Sequence, residues 1–169
     1  SAEGRICVDI GASTGGFTDC LLQHGAARVY AVDVGKCQLH PRLAADPRVA
    51  VLDGCNARHL QPGDLPEAPS LAVTDVSFIS LRLILPAIDR LLPPGGETVA
   101  LIKPQFEAGR DEVGRGGVVR DPAVRQHVVD RIREFAGTTL GWEGLGICQS
   151  PIQGPAGNVE FLSYWRKPS

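Results

Sequence analysis

Charged residues follow five successive apolar segments of the sequence, and their types are those that move protons and bind hydroxyl groups. Four are carboxylates and one is a lysine: Asp9, Asp33, Asp53, Asp75 and Lys103. In α/β proteins the carboxyl ends of parallel strands lie at one edge of the sheet, and ligands bind there. We therefore expect a site at this edge in which carboxylates and an amine act together.

A glycine-rich segment, VDIGASTGGFTD, follows the first apolar run. Gly11, Gly15 and Gly16 allow a tight turn and a close approach to a ligand, and the helix after them offers free N–H groups to an anion. The spacing differs from the dinucleotide G-x-G-x-x-G pattern, and no P-loop GK[ST] follows. The alternative interpretation is a tight turn that serves helix–strand packing.

Asp33 stands 22 residues after Gly11 and closes the second apolar run. A carboxylate at that place can accept both hydroxyls of a ribose, or it can cap a turn. Together, the glycine turn and this acid indicate a cofactor that contains a nucleoside. Asp53 and Asn56 either contact an adenine edge or cap the next helix, and the sequence leaves both interpretations open.

Asp75 and Lys103 end neighbouring strands of the predicted sheet. A buried lysine is costly without a partner, so one interpretation is a structural ion pair with Asp75. The other is a reactive lysine whose basicity is tuned by burial and neighbouring charges. Ser77 and Ser80 follow Asp75, and we interpret both as caps of the next helix.

The segment from 104 to 121 has no obvious helix or strand and is long for a loop in a compact domain. Arg110, Arg115 and Arg120 in this loop could contact phosphates. Four acids nearly cancel their charge, so a solvated lid is an equally open interpretation. Glu160, in the last predicted strand, is interpreted as solvent-facing unless other site residues lie beside it.

The order of the elements predicts a doubly wound α/β sheet of about seven strands, mostly parallel, with a C-terminal antiparallel hairpin. Between the fourth and fifth strands, Ser80–Leu92 predicts a helix that is kinked or begins late at Pro86. A second helix begins at Asp121-Pro122 and ends at Gly137 and Gly141. The predicted strands are Arg5–Ile10, Arg28–Asp33, Val49–Asp53, Leu71–Asp75, Thr98–Lys103, Glu143–Gln149 and Asn158–Arg166.

Composition indicates one ordinary globular domain over residues 1–169. The net charge is −2, which argues against a stand-alone nucleic-acid binder. No apolar run is long enough to cross a membrane, and the four histidines lack metal-ligand spacing, so no metal is expected. The five dispersed cysteines predict reduced, mostly buried thiols in a cytoplasmic protein.

Seven segments in order carry a family resemblance: DIGASTGGFTD, AVDVG..QL, DPRV, TDVSFISL, KPQFE.G, GGVVRDP and P..GPAGNVEF. Together they resemble the FtsJ-like 2′-O-ribose methyltransferases, most closely the TlyA branch that is often labelled hemolysin. The resemblance implies a Rossmann-like class I methyltransferase sheet, S-adenosylmethionine as cofactor and ribosomal RNA or a ribosomal subunit as partner. It also implies that the chain begins after the family's small N-terminal RNA-binding domain.

The resemblance assigns roles to individual residues. Asp75, Lys103 and Glu160 match the last three positions of the family's Lys-Asp-Lys-Glu tetrad, whose first lysine lies in a helix before the first strand. Lys103 would be the general base, with the two carboxylates orienting it and the hydroxyl. The implied cofactor-binding residues are Gly11, Ala12, Ser13, Gly15, Gly16, Phe17, Asp33, Asn56 and Asp75.

Three other functions remain open on the sequence. The first is a methyltransferase that acts on a small molecule or a protein. The second is a non-catalytic fragment that binds S-adenosylmethionine or RNA. The third is a membrane-lytic hemolysin, which no strongly basic amphipathic helix supports.

Overall fold

The computed structural model describes residues 1–169, and a single seven-stranded sheet runs through it. The strands lie in the order β3-β2-β1-β4-β5-β7-β6. The first five are parallel, and β7 pairs antiparallel with both β5 and β6. The strands are β1 (Ile6–Ile10), β2 (Arg28–Val32), β3 (Val49–Leu52), β4 (Leu71–Thr74), β5 (Glu97–Ile102), β6 (Glu143–Gln149) and β7 (Phe161–Arg166). The predicted fold class is confirmed.

Helices cover the two faces of the sheet. Those numbered here are α1 (Gly16–Gln23), α2 (Pro41–Ala44), α3 (Leu81–Leu91), α4 (Pro104–Glu107) and α5 (Pro122–Glu134). On one face, α3 and α5 pack on β1, β2, β4 and β5 in a core of 21 buried residues. On the other face, α1 packs on β1, β2 and β4 in a smaller core of eight. Both faces of β1 and β4 are therefore buried, which explains why these strands are continuously apolar.

Two predictions about the helices are corrected. The helix that contains Pro86 does not begin late: it begins at Leu81, because Ser80 caps it by accepting the Arg82 N–H at 3.2 Å. Pro86 removes only one intrahelical hydrogen bond, and packing of the buried Leu85 and Ile88 maintains the helix. The C-terminal helix passes through Gly137, since a π-helical turn, Phe135–Thr139, follows α5, and it ends just before Gly141, the second glycine of the prediction.

Two loop predictions are also corrected. The segment from 104 to 121 contains the turn α4 and a 3₁₀ turn, Arg110–Glu112. The side chains of α4 bind other segments, so periodicity within the segment does not show this turn. The last strand begins at Phe161, so Glu160 precedes it and is buried at 5% exposure rather than facing solvent. The thiols are free, but three of the five are exposed (Cys20, Cys37 and Cys148), contrary to the expected burial.

Candidate active site

A cavity of about 330 Å³ lies at the carboxyl ends of β1, β2 and β4. Its volume falls within the range of about 300–1,000 Å³ that is usual for ligand pockets. The parallel strands place four separate loops around it, those that follow β1, β2, β3 and β4, as the sequence leads one to expect. Five of the predicted site residues line it together: Gly11, Ser13, Asp33, Asn56 and Asp75.

Asp33 is held in a fixed orientation by backbone groups of two loops. Its Oδ2 accepts the Ser13 N–H and its Oδ1 accepts the Gly35 N–H, each at 2.8 Å. A carboxylate offers about four acceptor sites, so each oxygen can still accept a hydroxyl. Asn56 accepts the Arg58 N–H at 3.1 Å through Oδ1 and caps a 3₁₀ turn. Both side chains are therefore preorganised beside the cavity.

Gly11 connects the glycine turn to the loop that carries Asp75. Its φ is +80°, and a Cβ at this position would lie 2.3 Å from the Asp75 carbonyl oxygen. An alanine could meet neither condition without moving the backbone. The glycine is therefore required for the contact between the loops after β1 and β4.

The other four residues of the glycine segment do not line this cavity. Ala12 is buried, and Gly15 has a φ of +106° with a leucine side chain of α2 where its Cβ would be. Gly15 and Gly16 border a separate polar cavity between α1 and α2. Phe17 lies in an apolar groove on the α1 face of the sheet. Packing thus explains Gly15, as the alternative interpretation of this segment proposed.

Asp9 lies fully buried in β1. Thr18 Oγ1, on α1, donates to its Oδ2 at 2.7 Å, and Oδ1 has no hydrogen-bond partner. Burial raises the pKa of the carboxyl to about 7, opposed by the bonds from Thr18 and assisted by the charges of Asp75 and Asp33. The neutral acid is therefore well populated near neutral pH.

Asp75 and Lys103 form an ion pair between Asp75 Oδ1 and Lys103 Nζ. Lys103 Nζ also donates to Ser77 Oγ at 3.1 Å, so Ser77 does not cap α3 as the sequence suggested. The lysine side chain is only 11% exposed. The charged amine is therefore held by a carboxylate and a hydroxyl at the rim of the cavity.

Glu160 reaches the same edge of the sheet because β7 runs antiparallel to β5. The observed pairing of Ile102 with Phe161, continued by one residue, sets Lys103 opposite Glu160. The carboxylate forms no ion pair with the lysine and instead accepts a hydrogen bond from Gln105 Nε2 at 2.8 Å. Two small clusters thus lie side by side at this edge, one around Lys103 and one around Glu160.

Asp53 is another predicted candidate that lies outside the cavity. Its Oδ2 accepts the Cys37 N–H at 2.9 Å, so it ties the loop after β2 to the loop after β3. Asp53 does not cap the helical turn that follows, which is capped by Asn56. Its role in the structure is to hold these two loops together.

The family-model comparison covers nearly the whole chain. Residues 1–167 match the model described as FtsJ-like methyltransferase. The chain belongs to the FtsJ-like methyltransferase family. Membership agrees with the seven-stranded, mostly parallel sheet and with a cavity at its carboxyl edge.

One curated relative is the 16S/23S rRNA (cytidine-2′-O)-methyltransferase TlyA of Mycobacterium tuberculosis. It is 48% identical over 98% of this chain, which covers 62% of the relative. The chain thus spans about 60% of the length of the curated relatives it matches first.

Two solved structures share the fold. A Streptococcus thermophilus protein that carries the name hemolysin is 49% identical, with a TM-score of 0.96 over the whole chain and 61% of its own length. An S-adenosylmethionine-dependent methyltransferase from Listeria monocytogenes is only 15% identical. It superimposes with a TM-score of 0.70 over 99% of this chain and 92% of its own, which shows a common fold.

Two further findings on this family member concern membranes and metals. None of its helices combines the length and the apolar character needed to cross a bilayer. No group of three or more histidines, cysteines or carboxylates is placed to hold a metal ion.

Phe78 has both an unusual backbone and an unusual exposure. Its φ is +64°, a conformation that is strained for a bulky side chain. The ring is 89% exposed, lines the cavity and contacts the Phe106 ring at a centroid distance of 4.8 Å. The fold therefore holds an aromatic face in solvent directly beside Asp75 and Ser77.

Glu107 connects the turn that follows Lys103 to the loop that follows Asp75. Its carboxylate accepts the Leu81 N–H and the Ser80 hydroxyl, both at 2.7 Å, and so covers the start of α3. Arg131 of α5 donates to its carbonyl oxygen. Burial raises the pKa of Glu107, an effect that these hydrogen bonds oppose.

The three loop arginines have no carboxylate partners. Arg110, Arg115 and Arg120 are exposed and none of them forms an ion pair. Glu112 and Asp121 instead accept backbone N–H groups. The expected cancellation of charge within the loop is therefore not achieved by direct pairing.

Sequence reasoning missed Gln105, Glu107 and Phe78. All three lie in segments that carried the family resemblance, TDVSFISL and KPQFE, and that was the one available signal. Neither periodicity nor charge distinguishes a half-buried glutamine in a short turn from a solvated one.

Proposed function

We propose that this chain is the methyltransferase domain of an S-adenosylmethionine-dependent enzyme that methylates a ribose 2′-hydroxyl of ribosomal RNA. The observation that carries the proposal is the Asp75–Lys103 ion pair at the rim of the cavity, with Glu160 opposite the lysine. The name of the Mycobacterium tuberculosis relative supports the substrate. A ribosomal subunit as partner and a cytoplasmic location follow from that substrate.

The residues around the cavity fit the cofactor. Asp33 would accept the ribose hydroxyls with the acceptor sites left free by Ser13 and Gly35, and Asn56 would lie at the base. When bound, S-adenosylmethionine supplies an electrophilic methyl group on a positively charged sulfur. Asp75 lines the same cavity, so it would contribute negative charge near that sulfur.

Lys103 would accept the proton of the attacking 2′-hydroxyl. A charged ammonium has no lone pair, so Lys103 must first release a proton from Nζ to solvent. The neutral amine can then take the hydroxyl proton, while Asp75 stays ionised beside the lysine and the sulfur. Ser77 holds Nζ in place throughout, and Glu160 would orient the hydroxyl.

Phe78 and the loop arginines provide surfaces for a nucleic acid next to these groups. Single-stranded bases stack on exposed aromatic rings, and the Phe78 ring borders the cavity that contains Asp75. The unpaired Arg110, Arg115 and Arg120 are suited to phosphates. A base unstacked from its neighbours could lie on Phe78 while its ribose approached Lys103.

Cofactor binding is tested first, by calorimetric titration of S-adenosylmethionine and its demethylated product. We expect micromolar binding that Asp33→Ala abolishes and that Lys103→Ala leaves largely intact. Transfer is then followed with a methyl-labelled cofactor and ribosomal subunits, with nucleoside analysis of the digested RNA. Methylated ribose that requires Lys103 supports the proposal, and transfer that survives Lys103→Ala contradicts it.

A further inference from the structure

The short turn α4 connects the segments that carry the proposed reactive groups. It follows Lys103 directly, and its last three side chains bind three different segments. Gln105 donates to Glu160 before β7, Phe106 contacts the Phe78 ring, and Glu107 covers the start of α3. A change in α4 would therefore be felt at Glu160 and at the loop that carries Asp75.

Glu160 depends on Gln105 more than on any other side chain. The carboxylate is 5% exposed, and its one side-chain hydrogen bond comes from Gln105 Nε2 at 2.8 Å. A buried carboxylate that loses its donor is left with uncompensated desolvation, so it would turn towards water or another donor.

Gly154 also packs against the Glu160 carboxylate. A Cβ on this glycine would lie 2.1 Å from Glu160 Oε1 and 2.7 Å from its Cδ. The carboxylate therefore packs directly against the glycine backbone, where no other residue type would leave room. The Gln105 amide nitrogen lies 3.4 Å from the same Cβ position, so the Gln105 amide and the Gly154 backbone adjoin each other around the carboxylate and together restrict where it can lie.

We propose that Gln105 is a positioning residue that holds Glu160 in its reactive orientation against the backbone of Gly154. The inference rests on the proposed function, in which Glu160 orients the hydroxyl. Because Glu160 stands opposite Lys103 in the strand register, a rotation of its carboxylate changes its distance from the lysine. Gln105 contacts neither the substrate nor the cofactor in this assignment.

The kinetic test compares Gln105→Leu with Gln126→Leu. Gln126 is a matched control, because its Nε2 also donates to a carboxylate, Asp130 at 2.9 Å, but on the exposed face of α5. We expect Gln105→Leu to lower kcat about tenfold to a hundredfold, the usual effect of losing a hydrogen bond to a charged group. The KM for S-adenosylmethionine should change less than about twofold, and Gln126→Leu should behave as wild type.

A double-mutant cycle shows whether Gln105 acts through Glu160. In a Glu160→Ala background, Gln105→Leu should cause no further loss, because the group it positions is gone. A full, independent loss in that background overturns the proposal, and so does an unchanged kcat in the single variant.

Gln105→Glu provides a test with almost no change of shape. It places two carboxylates in contact, and such a pair is relieved when they share a proton. The rate of this variant relative to wild type should therefore rise as the pH falls. A ratio that does not change with pH contradicts the assignment.

Crystal structures of wild type and Gln105→Leu separate this inference from the proposed function. The Glu160 carboxylate should leave its place beside Gly154 in the variant, whatever the activity of the chain. An unmoved carboxylate overturns the inference. Absence of methyl transfer in the wild-type chain counts against the proposed function alone.

Discussion

The burial of Asp9 predicts an unusual dependence of stability on pH. Its pKa is raised from an ordinary value of 3.8 to about 7 in the folded chain, chiefly by burial. The folded state thus holds this proton more tightly than the unfolded state does. The resulting stabilisation is complete below the unfolded pKa and is lost as the pH rises through the folded one.

The magnitude follows from the size of the shift. About three units at about 1.4 kcal/mol each give roughly 4 kcal/mol across the whole range. Between about pH 5 and pH 7.5 the same two pKa values give a loss of about 2–3 kcal/mol. The Asp9→Asn variant cannot ionise at this position but retains an acceptor for Thr18, so this loss should disappear.

The assay is urea unfolding of the ligand-free chain at several pH values between about 4 and 8. The amide that Asp9→Asn introduces adds a buried, unpaired donor with a cost that does not depend on pH, so the quantity compared is the slope. Asp19→Asn, on the exposed side of α1, is the control and should follow wild type. Parallel stability curves for wild type and Asp9→Asn would refute the reasoning.

Three further predictions concern the site and the loops around it. Gly11→Ala should weaken S-adenosylmethionine binding and abolish transfer, since its Cβ would displace the Asp75 backbone; unchanged calorimetric affinity would contradict this. Phe78→Ala should weaken RNA binding by about 1–3 kcal/mol in a fluorescence titration and leave cofactor affinity unchanged, whereas equal losses in both would argue against stacking. Asn158→Ala removes three hydrogen bonds of a buried amide and should lower the free energy of unfolding, measured by urea denaturation, by about 2–4 kcal/mol. Asn158→Asp is the second variant, because it keeps the acceptor for Val119 and loses both donors; a wild-type stability for both variants would contradict this prediction.

The fold and the main candidates were accessible from the sequence because strand ends are visible in it. An apolar run that stops at Asp33, Asp75 or Lys103 indicates a buried strand. It also indicates that the charged residue lies at the carboxyl edge of the sheet. The parallel arrangement then brings such residues together without further information. The pairing of Asp75 with Lys103 was predicted in this way and is present as an ion pair.

The remaining features depend on contacts between distant segments. Glu160 is buried because Gln105 and Gly154 enclose it, and nothing within NVEFL distinguishes it from an exposed strand residue. Ser77 accepts a hydrogen bond from Lys103 and does not cap α3. This contact depends on the distance between the segments after β4 and β5, which the sequence does not give. Gly15 was expected to bind a ligand, but the close packing of α2 against it explains why a glycine stands there.

The position of β7 between β5 and β6 has a consequence for synthesis of the protein. Both neighbours precede β7 in the chain, yet neither pairs with the other, so β5 keeps an open edge until the last strand arrives. The loops around Asp33, Asn56 and Asp75 are translated well before Glu160. A nascent chain can therefore assemble its cofactor cavity early, but it gains the carboxylate opposite Lys103 only with the last insertion. On the proposed function, the chain can therefore catalyse methyl transfer only after β7 has been synthesised and inserted between β5 and β6.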